Sequence, residues 1–278
     1  MTAAGRPLVL ITNDDGIESP GLWALAAAFA DIADLFVIAP REQQSGSSRS
    51  MLSSSSGCLH PVDAVAHGLP AGSRAFAVDG TPAQAVQHGV YELTDRPVSL
   101  VASGINYGEN VGSGVTISGT VGAALEGASF GIPALAISQQ TALHLQDTYS
   151  KQVDFRAAAV FARRFGAWLL NHALPGDATV LKIDLPHQAT AETPWRVTRV
   201  SHIRVYLPTP PARASLDECV GMGYRYAEER HLAEPDSDAH ALHVVHEVSV
   251  TPLSLDLTAR IALPALEDQL RREIESSA

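Results

Sequence analysis

The sequence predicts an α/β protein built on a mainly parallel sheet. Short apolar runs alternate with helix-period segments through roughly the first half of the chain, the pattern of successive βα units. Each run is apolar along most of its length instead of alternating, as a strand covered on both faces must be. Each is also bounded by Gly, Pro or polar residues. With 278 residues, 46% hydrophobic and 18% charged, the chain can bury a sizeable core.

The first strand is expected at residues 8–12, followed by a helix over 20–30 that opens on Ser19-Pro20, a favourable cap and first helical residue. Strands follow at 35–39 and 74–78. Thr81-Pro82 opens a helix over 83–93 in the same way, and strands at 98–102 and 134–138 flank a helix over 120–130. Residues 45–57 are dense in serine, the composition of a flexible loop, yet they follow a strand end, where α/β proteins assemble their sites. One long helix is expected over 147–172. Residues 201–242 lack periodicity and contain Pro208, Pro210, Pro211 and Pro235, which suggests an extended arm of the kind that packs on a second subunit. Strand-like alternation returns at 248–257 and a last helix at 264–275. The division expected is a core over 1–195 and an arm, returning strand and terminal helix over 196–278.

The formal charge of -11 opposes a nucleic-acid polymer as partner, but a small anion can still bind where a cation and backbone amides reverse the local potential. The opening apolar run is too short to span a bilayer, and residues 1–6 lack the apolar stretch of a secretory signal, so no membrane association and a cytoplasmic location are expected. Cys58 and Cys219 lie far apart and form neither a disulfide framework nor a Cys-x-x-Cys motif.

The strongest local feature is Asn13-Asp14-Asp15-Gly16, directly after the first strand. Two adjacent carboxylates repel unless solvent, hydrogen bonds or a cation compensates, and Mg²⁺ or Mn²⁺ favours such oxygen ligands. A plain polar turn with a helix-capping Asp is the competing reading. The second feature is Ser103-Gly104-Ile105-Asn106, read as a loop after the strand at 98–102, continuing through Gly108, Gly112, Gly114 and Gly119. Asn106 offers a neutral oxygen ligand. Ser118-Gly119-Thr120 lies where a helix begins, so its free N–H groups could hold a phosphate, although such glycines also serve turns alone.

Other chemistries fit less well. There is no P-loop order and no Gly-x-Gly-x-x-Gly after the first strand, and an aspartyl-phosphate route calls for Asp-x-Asp, whereas Asp14 and Asp15 are adjacent. His240, His243 and His246 match no zinc spacing and read as surface histidines. A serine nucleophile is not supported, since no matching His and Asp can be assigned beside Ser45 and its serine neighbours.

Taken together, residues 11–17, Ala39-Pro40 with Ser45-Gly46, residues 78–83, Ser103-Gly104-Ile105-Asn106, residues 118–122 and residues 248–253 resemble the stationary-phase survival protein SurE family. The resemblance implies a Rossmann-like three-layer core with an extended C-terminal dimerisation region, assembled as a homodimer or homotetramer. It also implies a nucleotidase, a phosphoric monoester hydrolase acting on nucleoside 5′- and 3′-monophosphates, with polyphosphate trimming as a further activity of the same site, and one divalent metal ion, Mg²⁺ or Mn²⁺, per subunit. The alternative is a non-catalytic, metal- and nucleotide-responsive binding module. By motif, Asp14, Asp15, Ser45 and Asn106 match the metal ligands, Asp14, Asp15 and Asn106 the catalytic set, and Gly46, Ser118, Gly119 and Thr120 the phosphate side. The chain departs from the pattern at Arg41-Glu42, where the order of acid and base is reversed, at Gln84, where Asp is usual, and at Ser113-Gly114, where an acidic residue is common.

Overall fold

A computed structural model describes residues 5–146 and 148–275. The first unit is β1 (Leu8–Thr12), α1 (Pro20–Phe29) and β2 (Asp34–Pro40), followed by β3 (Leu59–Val62), β4 (Arg74–Val78) and α2 (Pro82–His88), which runs on into a wider helical turn over Gly89–Leu93. Then come β5 (Leu100–Tyr107), α3 (Gly119–Ser129), β6 (Ala134–Gln139), α4 (Arg156–Leu169) and β7 (Val180–Leu185). The remainder holds β8 (Trp195–Val197), β9 (Tyr206–Thr209), β10 (Gly223–Tyr226), the single turn α5 (Asp238–His240), β11 (Val248–Leu253) and α6 (Leu263–Glu275).

Nine strands form one sheet in the order β3-β4-β2-β1-β5-β6-β7-β11-β8. Its central pairs are parallel, and the two antiparallel pairs are β3 with β4 and β11 with β7. From β1 the chain winds outward through β2 and β4, then returns to β5 on the other side of β1 and winds through β6 and β7. The order reverses between β1 and β5, the kind of switch point at whose carboxyl strand ends α/β sheets assemble their sites.

Period-two alternation decides the layers. Val9 and Ile11 face one side of the sheet and pack with Leu22, Leu25 and Phe29 of α1 and Phe161 of α4. Leu8 and Leu10 face the other, with Val86 of α2 and Val121 and Ala124 of α3. Burying side chains of this size is worth about 1.5–3 kcal/mol each before chain entropy is charged. Three layers result because both faces of the central strands are apolar.

The structure corrects several boundaries. The segment Ser103-Gly104-Ile105-Asn106 is not a loop: β5 continues through it, because Asn106 and Tyr107 still pair with Ser138 and Gln139 of β6 across a bulge. The long helix is shorter than its apolar pattern. Asp147 lies outside the described residues, and α4 begins at Arg156, whose N–H is accepted by the Asp154 carboxylate at 2.9 Å. The segment 201–242 contains a ribbon, with Tyr206 of β9 opposite Tyr226 of β10 at its root, and a small cluster of Val111, Val205, Ala233, Ala239 and Leu242 beneath it. Residues 45–57 carry no helix or strand, as the serine content suggests.

Candidate active site

At the end of β1 the Asn13 side chain closes the turn on itself: Nδ2 donates to the Gly16 carbonyl at 3.0 Å, and Gly16 N–H donates to Oδ1 at 3.2 Å. Gly16 stands at φ +101°, and a Cβ there would lie 3.2 Å from the Glu42 carbonyl carbon. Only glycine takes that backbone without strain. The tight turn leaves Asp14 and Asp15 buried at the carboxyl end of β1, beside β5.

Asp14 meets the start of α3. The Thr120 hydroxyl donates to its Oδ1, and the Gly119 and Thr120 amides also favour the carboxylate. A Cβ at position 119 would lie 2.7 Å from both Asp14 Cβ and Ser47 Oγ, so glycine is what permits the approach. Burial pushes the Asp14 carboxyl above its ordinary value, against these hydrogen bonds. The positive end of the α3 dipole partly offsets the cost.

Asp15 is tied to the neighbouring strand. Its Oδ2 accepts the Tyr107 N–H at 3.2 Å, and its carbonyl accepts the Tyr149 hydroxyl. One residue earlier, Asn106 donates through Nδ2 to the Gly108 carbonyl at 2.6 Å, so its oxygen is the atom it can offer to a cation. The serine loop reaches the same place because Gln44 N–H donates to the Asp14 carbonyl at 2.7 Å. Ser45 is exposed, its hydroxyl accepting from Gln43 Nε2 at 3.0 Å, and Gly46 follows at φ +76°.

The loop bearing Ser45 and Gly46, the pair Asp14 and Asp15, Asn106, and the start of α3 thus converge. The hydroxyls of that helix start are already engaged. Ser118 caps α3 by accepting Val121 N–H at 3.1 Å, and Thr120 serves Asp14, so an anion there meets backbone before hydroxyls. Among the described residues no group of three or more His, Cys, Asp or Glu side chains could hold a metal ion. The converging set is two carboxylates with neutral oxygens, which suits a hard divalent cation and no soft one. Ser47, whose buried hydroxyl has no hydrogen-bond partner beside Gly119 and Asp14, was not singled out by sequence and is a further oxygen at the same spot.

Sequence reasoning also missed the support beneath the loop that follows Asn106. Lys182 and Asp184 of β7, with Asp238 of α5, are fully buried. Lys182 Nζ pairs with Asp184 and, at 3.1 Å, with Asp238. Burial works against the ammonium, but the two carboxylates outweigh it and hold its pKa above the ordinary value. Asp184 accepts Asn110 N–H at 2.7 Å, and Asp238 accepts Gly112 N–H at 3.2 Å and Ser201 N–H at 2.9 Å. The available signal was a Lys and an Asp two apart in the apolar run 180–185, where period two puts them on one face. The histidines differ from expectation as well. A spacing of three places His240 and His243 on one side of a helical segment, and the His243 side chain is only 5% exposed, 3.5 Å from Glu109; His246 alone is exposed.

Comparison with known proteins agrees with the assembly of these motifs. The family description "Survival protein SurE" matches residues 9–206. Proteins named 5′-nucleotidase SurE from Thermococcus gammatolerans and Methanocella arvoryzae are 36% and 37% identical, covering 94% and 90% of this chain and 95% and 93% of their own lengths. The crystal structure of the SurE protein from Aquifex aeolicus superposes with a TM-score of 0.75 at 29% identity, over 96% of this chain and 100% of that one. With the turn, the strand-borne asparagine and the capped helix start all in the order of the motifs, this chain belongs to the SurE family.

Proposed function

We propose that this protein is a divalent-metal-dependent nucleotidase that releases phosphate from nucleoside 5′-monophosphates. The observation that carries the reading is the burial of two adjacent carboxylates beside Asn106, Asp14 against the N-terminus of α3 and Asp15 against β5, at the point where the strand order reverses. The names of the relatives, 5′-nucleotidase SurE, support the substrate class. In this reading Asp14, Asp15, Ser45 and Asn106 hold the ion, with Mg²⁺ or Mn²⁺ favoured by the all-oxygen set. When bound, such an ion lowers the pKa of a water and offsets charge on the phosphoryl oxygens. Gly46 and the backbone at Ser118, Gly119 and Thr120 orient the phosphate, and Thr120 keeps Asp14 in place through its hydroxyl. Hydrolysis of 3′-monophosphates and shortening of polyphosphate belong to the same proposal, since both present a terminal phosphoryl group.

Phosphate release from a panel of 5′- and 3′-nucleotides and polyphosphate, with Mg²⁺, Mn²⁺ or chelator, tests the reading. Turnover restored by metal and abolished by chelator is expected. Tight nucleotide binding with no release would instead make the chain a nucleotide-responsive binding module.

No helix among the described residues is long and apolar enough to cross a membrane, and a cytoplasmic location accompanies this proposal. The segment 196–278 is proposed to drive self-association. Every residue of α6 is exposed, and Leu263, Leu266, Leu270 and Ile274 form an apolar row at helical spacing. Light scattering is expected to report a homodimer or homotetramer at micromolar concentration; a monomer would overturn this part.

A further inference from the structure

Glu109 follows Asn106 by three residues, takes no part in the chemistry proposed above, and is nevertheless 3% exposed. Neither of its carboxyl oxygens has a hydrogen bond of ordinary geometry, and His243 Nε2 stands 3.5 Å away without one either. Buried polar atoms are seldom left so. Around them stand the Tyr206 hydroxyl, the Tyr226 hydroxyl and the Gln140 side chain, and Gln140 Nε2 also reaches His243 Nδ1 at 3.2 Å.

The two tyrosines are paired residues at the root of the β9/β10 ribbon, with ring centroids 5.1 Å apart. The Tyr206 hydroxyl is also 3.5 Å from Gln146 Nε2, and the Gln146 carbonyl accepts Gln43 Nε2 at 3.3 Å, the same amide that donates to Ser45. Gln146 packs so closely on Gly108 that a Cβ there would fall 2.6 Å from its Nε2. The root of the arm therefore adjoins both segments that bear neutral oxygen donors, one with Asn106 and one with Ser45.

We propose that Glu109 is a positioning residue: its carboxyl, enclosed by Tyr206, Tyr226, Gln140 and His243, locks the arm root against the catalytic loop and thereby fixes Asn106 and Ser45. This rests on the reading that those residues hold the ion. The lock works with a neutral carboxyl, which can donate one hydrogen bond and accept others, and fails with a carboxylate in the same enclosure. The groups facing the enclosure agree. Burial, with Asp184 of β7 adding repulsion, lifts Glu109 to about 7. Burial also lowers His243 to about 4, with Arg230 and His246 acting in the same sense and Asp238 opposing, so the imidazole stays neutral beside it. Both tyrosines are held above their ordinary values by burial and remain donors; Arg230, 5.1 Å over the Tyr226 ring, faces the ring and not the carboxyl.

The test compares the full-length wild type with Glu109→Gln, Glu109→Ala and Tyr226→Phe. Amide hydrogen exchange is read at residues 43–48 and 106–112, and Mn²⁺ alone is titrated calorimetrically, at pH 6 and pH 8. Glu109→Ala is expected to speed exchange in both segments about tenfold and weaken Mn²⁺ binding about tenfold, with exchange in β1 and β6 unchanged, on the scale of losing a residue that orients a metal ligand. Glu109→Gln, whose carboxamide is a neutral mimic of the protonated carboxyl in the same shape, is expected to match the wild type at pH 6 and to stay protected at pH 8, where the wild type loosens once intrinsic exchange is corrected. Tyr226→Phe removes one hydroxyl and should loosen the same segments more mildly, which keeps the test readable if Glu109→Ala does not fold. Unchanged exchange and Mn²⁺ affinity in both Glu109→Ala and Tyr226→Phe would overturn the proposal, as would a Glu109→Gln variant as loose as Glu109→Ala. Phosphate release by the wild type is scored separately: its absence defeats the nucleotidase reading, whereas the exchange data judge the lock.

Discussion

Asp14→Asn is expected to lower metal-dependent phosphate release by about 100-fold or more at saturating Mg²⁺ or Mn²⁺, the scale seen when one electrostatic stabiliser of a reacting centre is removed. The substitution conserves shape, so the Thr120 hydroxyl can still donate to the side-chain oxygen that replaces Asp14 Oδ1. What disappears is one of the two negative charges available to a cation at the end of β1. The fold should not suffer. Burial raises the Asp14 pKa in the folded state, so below the ordinary carboxylate value the protonated group fits well, and as pH rises through the folded pKa that advantage is lost. An amide carries no charge to bury and avoids that loss at neutral pH. Thermal unfolding of the variant is therefore expected at or above the wild-type midpoint. Substantial turnover by Asp14→Asn at saturating metal would remove Asp14 from the site.

The second large effect lies far in sequence from the proposed metal ligands. Lys182→Met is expected to destabilise the protein by about 3–5 kcal/mol, the usual cost of removing one partner from a buried ion pair. Methionine nearly fills the volume, so the loss is electrostatic: Asp184 and Asp238 would face each other at zero exposure with no ammonium between them. Chemical denaturation at pH 7 measures this directly. The double variant Lys182→Met/Asp184→Leu should recover part of the loss, because Asp238 retains backbone donors from Gly112, Ser201 and Ala239. A single variant within about 1 kcal/mol of wild type would show that the triad contributes little beyond what a packed apolar side chain supplies. Activity should fall along with stability, since Asn110 and Gly112, anchored by the two carboxylates, belong to the loop that follows Asn106.

The legible part of this protein is the part governed by local rules. Residues 8–12 form β1 as predicted because an unbroken apolar run ending in Asn-Asp-Asp-Gly has few other places to go. The Thr81-Pro82 helix start is confirmed by a complete capping box, in which Gln84 returns the bond to the Thr81 N–H; the departure from Asp at position 84 thus has a structural use. The Leu263–Glu275 helix also matches its periodicity almost to the residue. The strand at 180–185 is not legible in the sequence because Lys182 and Asp184 interrupt an apolar run, and no local rule says that a charge can be neutralised by a partner more than fifty residues away. The continuation of β5 through Asn106 was hidden for a related reason: Ser-Gly-Ile-Asn has the composition of a turn, and only the pairing with β6 extends the strand.

The α/β class, the order of the first units, the family resemblance and the acidic turn at Asp14 and Asp15 are all legible from residue type at short spacing. Tertiary structure alone decided what those residues meet. It placed the Thr120 hydroxyl on Asp14, set the Lys182 triad beneath the loop after Asn106, and brought Tyr206 and Tyr226 of the arm around Glu109. Each of these depends on desolvated polar groups finding partners across large sequence separations, and burial, which sets their energetics, is a property of the packed molecule.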